Sequence, residues 1–229
     1  MKNKLMYVLI TITAVGITVS GIISGQQFLR MLPLYISLMV MFFQSDALRI
    51  APLIGSINSL LYALVDYSYN LYGSALSALL LSFPFQMLTF ILWTKRKDGK
   101  TTVFRKMTAK ARVLFLLATA AVYVPCLIVN LNMGAALAPL DTYSFVGVFA
   151  TQILTLFAFI EFTWFSLFGS LITILMNALI VKSSPDRACY LIYSIYSAVC
   201  CIRGALTVRR IYRKQNTNEN SLLKSEDVK

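Results

Sequence analysis

The sequence predicts an all-α polytopic membrane protein with seven to eight transmembrane helices. These form two parallel three-helix repeats joined by a linker helix, a 3+1+3 plan, with one further helix at the N-terminal end. Three observations predict it. Of 229 residues, 58% are apolar and only 13% charged, where soluble domains carry about 45–50% and 25%, so there is too little polar surface to cover a water-exposed body. The charged residues are gathered between long charge-free runs rather than spread along the chain. Most of these runs approach or exceed the ~20 residues that an α-helix needs to cross the hydrocarbon.

In order, the charge-free runs are 5–29, 31–45, 50–65, 67–94, 113–140, 142–160, 162–181 and 188–202. The second, third and eighth hold 15 or 16 residues, so each must recruit a flanking polar residue or thin the bilayer around it. The first follows Lys2 and Lys4 and ends in small residues from Ser20 to Gly25, the outline of a signal peptide as well as of a span. Its apolar core of about 20 residues exceeds the ~7–15 of a signal peptide and favours a retained helix; cleavage would leave seven spans.

Lys and Arg set the orientation, because basic loops resist translocation. With eight spans and both termini cytoplasmic, 18 of the 21 basic residues fall inside, eight of them from Lys95 to Arg112 and seven from Arg203 to Lys229. Only Arg30, Lys182 and Arg187 fall outside. The expected organisation is an N-terminal transmembrane helix over 1–30 and a first three-helix bundle over 31–97. A basic cytoplasmic loop and linker helix occupy 98–140, a second bundle 141–211. Residues 212–229, polar and mixed in charge, read as a disordered cytoplasmic tail. The expected location is the cell membrane.

The net charge of +12 does not point to nucleic acid, since the basic residues sit between apolar runs. Histidine is absent, which removes the commonest general base and metal ligand. No Gly-rich phosphate loop and no nucleophile with a base beside it is present, so an enzyme is not expected, and no cofactor or metal is implied. Cys126, Cys189, Cys200 and Cys201 all lie inside apolar runs and read as buried thiols.

Residues 71–97 laid over 184–210 superimpose Ala75 on Ala188, Thr94 on Thr207 and Arg96 on Arg209, and Gly55-Ser56 meets Gly169-Ser170 one residue out of register. An odd number of helices per repeat joined by one extra helix gives both copies the same orientation, as in transporters with parallel repeats. Asp141-Thr142-Tyr143-Ser144, then Ala150-Thr151-Gln152-Ile153-Leu154, then Glu161 with Trp164 resemble the PnuC-type vitamin-precursor transporters. Pro52, Gly55, Leu71-Tyr72-Gly73, Ala75-Leu76 and Trp93 followed by Lys95 resemble that family's first repeat. Thr163 stands where the family has Asn, Thr89 where it has Gly, and an aromatic residue expected near Arg49 is missing. The resemblance implies a relative of the SWEET sugar transporters that moves nicotinamide riboside or, in sister groups, thiamine, riboflavin or deoxynucleosides. It further implies facilitated diffusion, with a cytosolic kinase trapping the product.

A heterocycle bearing a sugar needs apolar faces for its ring and a few amides for its hydroxyl and carboxamide groups. The candidate substrate-binding residues are Asn58, Gln86, Gln152 and Asn177, all in mid-run, with Trp164 divided between ring stacking and an interfacial belt. Any one amide alone equally suits a hydrogen bond between helices. Trp93 reads as an interfacial belt residue, and Tyr190, Tyr193 and Tyr196 as a stripe packed on a neighbouring helix. Pro33, Pro84 and Pro125 fall inside spans, where they kink helices. Glu161 and Asp66 stand at run ends rather than in mid-membrane, which favours uniport over ion coupling. The leading expectation is therefore a small-molecule carrier in the lipid bilayer. The alternative is a non-transporting accessory or assembly subunit. Homo-oligomerisation is left open.

Overall fold

The computed structural model describes residues 2–68, 78–134, 137–182 and 188–226. The Leu71-Tyr72-Gly73 turn, Ala75-Leu76 and Arg187 lie outside them. The described residues form helices α1 (Lys2–Ile23), α2 (Phe28–Ser45) and α3 (Ala51–Ser68), then α4 (Phe83–Lys95), led in by a π-helical turn at Ala78–Ser82. A short antiparallel hairpin, β1 (Lys97–Asp98) and β2 (Thr101–Thr102), follows. Helices α5 (Ala109–Asn132), α6 (Ala138–Leu156), α7 (Phe162–Val181) and α8 (Ala188–Glu226) complete the chain. The three short runs become longer helices by taking in charged residues, Arg30 in α2, Asp66 in α3, and Arg203 and those that follow it in α8.

Among the described residues, six helical segments are long and apolar enough to cross a membrane, and α3 and α6 are not among them. Helix α3 is apolar over Ala51–Val65 but shorter than a span, whereas α6 turns Ser144, Thr151, Gln152 and Thr155 inward. Polarity turned into an interior cavity lowers mean hydropathy without exposing anything polar to lipid.

Packing explains how six of the eight helices enclose that interior. Helices α2, α3, α4, α6, α7 and α8 form a closed ring in that order, each packed on the next and α8 returning to α2. Helices α2–α4 supply one half and α6–α8 the other, and the halves meet along two seams, α4 against α6 and α8 against α2. The remaining two lie outside the ring: α5 packs on α6, and α1 on α8 and α2. Met6 and Ile17 of α1 are buried with Leu34, Leu38 and Tyr196 in one apolar cluster.

All of 46–50, 95–112, 157–161 and 203–215 gather at one end of the ring, as an even number of helices between them requires. Arg105 pairs with Phe159 in a parallel bridge, Asp46 with Arg203 and Arg112 with Glu161. Phe104 is buried under the bundle with Trp93, Leu154, Phe162 and Val208. Gln215 holds the loop against α8, donating from Nε2 to Asp98 Oδ2 at 2.7 Å and to the Thr102 carbonyl at 3.1 Å, and accepting from the Phe104 N–H at 3.1 Å.

Several local expectations change. Helix α8 runs on to Glu226 where a disordered tail was expected from 212, because no Gly or Pro interrupts that stretch and Lys, Gln, Leu and Glu tolerate a helix well. Pro84 lies inside the Ala78–Lys95 segment, as expected, at the point where the π-helical turn Ala78–Ser82 gives way to α4. Trp93 is 1% exposed and belongs to no belt: its indole N–H donates to the Thr155 carbonyl at 2.8 Å across the α4–α6 seam. Of the tyrosine stripe, Tyr196 donates to the Leu38 carbonyl at 3.0 Å, a packing role, while Tyr193 faces the interior.

Candidate functional site

The ring encloses a central cavity of about 470 Å³, to which all six of its helices contribute and α1 and α5 do not. This is within the ~300–1,000 Å³ of small-molecule sites. Helix periodicity aims the wall residues inward. Tyr143, Gly147, Thr151 and Thr155 recur every four residues on α6, Gly55, Ser59 and Tyr62 nearly so on α3, and Ser166, Gly169 and Thr173 on α7, which is one face of a helix in each case. The aromatic part of the wall is Tyr62, Phe85, Trp93, Tyr143, Phe165 and Tyr193. No charged side chain lines the cavity among the described residues.

Three of the five candidate residues meet there. Asn58, 4% exposed, is fixed by its Nδ2, which donates to Ser37 Oγ at 2.8 Å and to the Pro33 carbonyl at 3.2 Å. Its Oδ1 is then left buried with no hydrogen-bond partner. Gln152 Oε1 is buried without a partner as well. Gln86 donates from Nε2 to Ser59 Oγ at 3.0 Å, and its Oε1 occupies the space that a Cβ on Gly55 would fill, so glycine at 55 is what lets the amide lie flat against α3. The other two candidates lie outside the cavity. Asn177 is one turn beyond Thr173, the last α7 residue on the wall, and its Nδ2 reaches the Tyr190 carbonyl at 3.4 Å. Trp164 is 51% exposed on the outer face, with the Arg209 guanidinium 4.5 Å from its ring centroid.

The hydroxyls add a consistent chemistry. Thr89, Thr151, Thr155 and Thr173 each donate to the carbonyl four residues back, and Ser170 and Ser194 to the one three back. Their hydrogens are spent on their own helices, so they offer the cavity lone pairs. With the two orphaned amide oxygens, the wall is rich in acceptors. A buried acceptor without a partner costs about 1–3 kcal/mol, which a ligand carrying N–H and O–H groups recovers. The aromatic and hydroxyl residues were not singled out from the sequence, although their four-residue spacing on α6 was legible there. Among the described residues no group of three His, Cys, Asp or Glu side chains is placed to hold a metal ion.

Both seams are tied at the end of the cavity nearer the basic loop. Below it, Arg96 donates to the Leu156 and Phe157 carbonyls, both at 3.2 Å, capping the C-terminus of α6. Burial, and then the like charge of Arg105, pull the Arg96 guanidinium below its ordinary pKa. Asp46 and Arg203 join the other seam.

A ring of six helices in two similarly ordered halves, enclosing an uncharged cavity within a membrane-spanning body, defines a polytopic helical transporter. The family described as nicotinamide mononucleotide transporter matches residues 27–205, and the chain belongs to that family, one of transporters and not of enzymes. It is 33% identical over 118 residues to the nicotinamide riboside transporter PnuC of Neisseria mucosa, a match that covers 48% of this chain and 44% of that protein. The matched part is thus less than half the length of that relative. The crystal structure of the vitamin B3 transporter PnuC superimposes with a TM-score of 0.74 at 18% identity, covering 92% of each chain, a likeness of fold.

Proposed function

We propose that the protein carries nicotinamide riboside across the membrane by facilitated diffusion, with the central cavity as its binding site and Asn58, Gln86 and Gln152 as polar contacts. The observation that carries this reading is that two wall residues of an aromatic cavity, Asn58 and Gln152, each keep an amide oxygen buried without a partner. Ribose hydroxyls and a carboxamide NH₂ are donors of the kind those oxygens lack. The pyridinium ring carries a positive charge, which aromatic faces stabilise. A mononucleotide would bring an anionic phosphate into a wall that offers no Lys or Arg among the described residues, at the cost of an unpaired buried charge. The orphaned acceptors also weigh against an accessory subunit, which would have no reason to keep them unsatisfied.

Alternating access fits two halves that meet along two seams and are tied together at the basic-loop end. Because no carboxylate lines the wall among the described residues, coupling to protons is not part of this reading; net uptake would rest on a cytosolic kinase that removes the riboside. The distribution of Lys and Arg supports a cytoplasmic side for both termini and the basic loop. A thermal-shift screen of purified protein tests it. Nicotinamide riboside should raise the melting temperature with rising concentration, about 2.7 kcal/mol of stabilisation at a hundredfold excess over Kd. No response to the riboside, with a response to thiamine, riboflavin or a deoxynucleoside, would replace the substrate. No response to any of them would return the accessory-subunit reading.

A further inference from the structure

Linker helix α5 is fastened to the ring at its two ends and stands off it between them. Near its start, Arg112 Nε donates to Glu161 Oε1 at 2.9 Å, and Phe115 meets Phe165 edge-on with centroids 5.6 Å apart. Towards its other end, Tyr123 donates to the Pro139 carbonyl at 3.1 Å and Asn130 Nδ2 to Thr142 Oγ1 at 2.8 Å. Between these fastenings lies a second cavity of about 450 Å³, bounded by α5, α6 and α7. Its wall is almost wholly apolar, and the hydroxyls of Thr119 and Tyr123 are spent on the Phe115 and Pro139 carbonyls. Water would find too few partners there, and an empty cavity would forfeit the dispersion contacts of its lining.

The mouth of this groove faces outward, with Leu116, Trp164 and Phe168 all more than half exposed. At the end nearer the basic loop, the Arg209 guanidinium stands over the Trp164 ring, so a fixed positive charge borders an apolar slot. We propose that the groove binds an anionic phospholipid of the leaflet on the basic-loop side. One acyl chain lies along α5 past Leu116 and Ala120, and the phosphate pairs with Arg209. Charge complementarity separates this lipid from a zwitterionic one, which supplies the same chain without the net charge. Tyr143, Gly147 and Phe165 line both cavities, so the chain backs the wall of the central site.

Quenching of tryptophan fluorescence by brominated acyl chains tests the proposal directly, because the chain has two Trp and Trp93 is sealed inside the bundle. Protein is reconstituted with brominated phosphatidylglycerol in phosphatidylcholine, and in the reverse mixture. The anionic brominated lipid should quench with about fivefold higher apparent affinity, the worth of one basic residue near an anionic headgroup. Arg209→Gln should abolish that preference while leaving quenching itself, and Ala120→Phe, which fills the groove, should reduce quenching by both lipids. Trp164→Phe should remove the quenched component. Equal quenching by both headgroups in the wild type would mean ordinary boundary lipid and overturn the proposal. Quenching by neither would mean that another copy of the chain covers this face, and would overturn it too.

Discussion

At the scale of single residues, the wall of the central cavity separates amides that hold helices together from amides that wait for a ligand. Gln152 leaves Oε1 buried and unpaired, so replacing it with Leu should remove a standing cost of about 1–3 kcal/mol. Gln152→Leu should raise the melting temperature of the empty protein and lose the riboside-induced shift, an opposition that a purely structural residue does not show. Asn177→Leu gives up a single 3.4 Å bond to α8 and should leave the riboside-induced shift intact. The sequence picked out Asn58, Gln86 and Gln152 because an amide in mid-run needs a reason to be there. It did not separate them from Asn177 and Trp164, because residue type does not fix a side chain's azimuth or depth. Trp164 is one residue, about 100°, from Phe165, which lines the wall, and that rotation turns it to the outside.

Helix crossings set what those residues can do. Where α3 meets α4, glycine at 55 makes room for the Gln86 amide, so Gly55→Ala should push that amide off α3 and weaken riboside binding more than it lowers the melting temperature, read by comparing Kd with the apo melting curve. Between α5 and α7, Glu161 accepts from Arg112 and from the Met107 N–H at 3.2 Å. Glu161→Gln should therefore loosen the start of the linker helix, lowering stability by about 1 kcal/mol and speeding amide exchange from Met107 into the first turns of α5. The number and order of the helices were legible in the charge-free runs. Their bounds were not, since α2 and α8 absorb Arg30 and Arg203 and α8 continues through a polar stretch that composition alone assigned to a tail. The burial of Trp93 also escaped the sequence, because a Trp beside a Lys at a run end looks the same in a belt as in a seam.

The whole molecule is two three-helix halves closed along two seams, and transport asks those seams to open in turn. At the basic-loop end one seam rests on Asp46 and Arg203 and the other on Trp93 and Arg96 against the last carbonyls of α6. Asp46→Asn leaves Arg203 without its carboxylate and should let that end open more often, raising the rate at which a maleimide applied from that side reaches Cys201 on the cavity wall. The central claim is that the cavity takes a donor-bearing cationic riboside rather than its phosphate. Calorimetric titration of purified protein with nicotinamide riboside and with its mononucleotide, in the wild type and in Gln152→Leu, tests it most directly. The riboside should bind the wild type at one site, the mononucleotide about tenfold more weakly or worse, and Gln152→Leu should weaken the riboside by a similar factor. Tighter binding of the mononucleotide, or a Gln152→Leu protein that binds the riboside like the wild type, would contradict it.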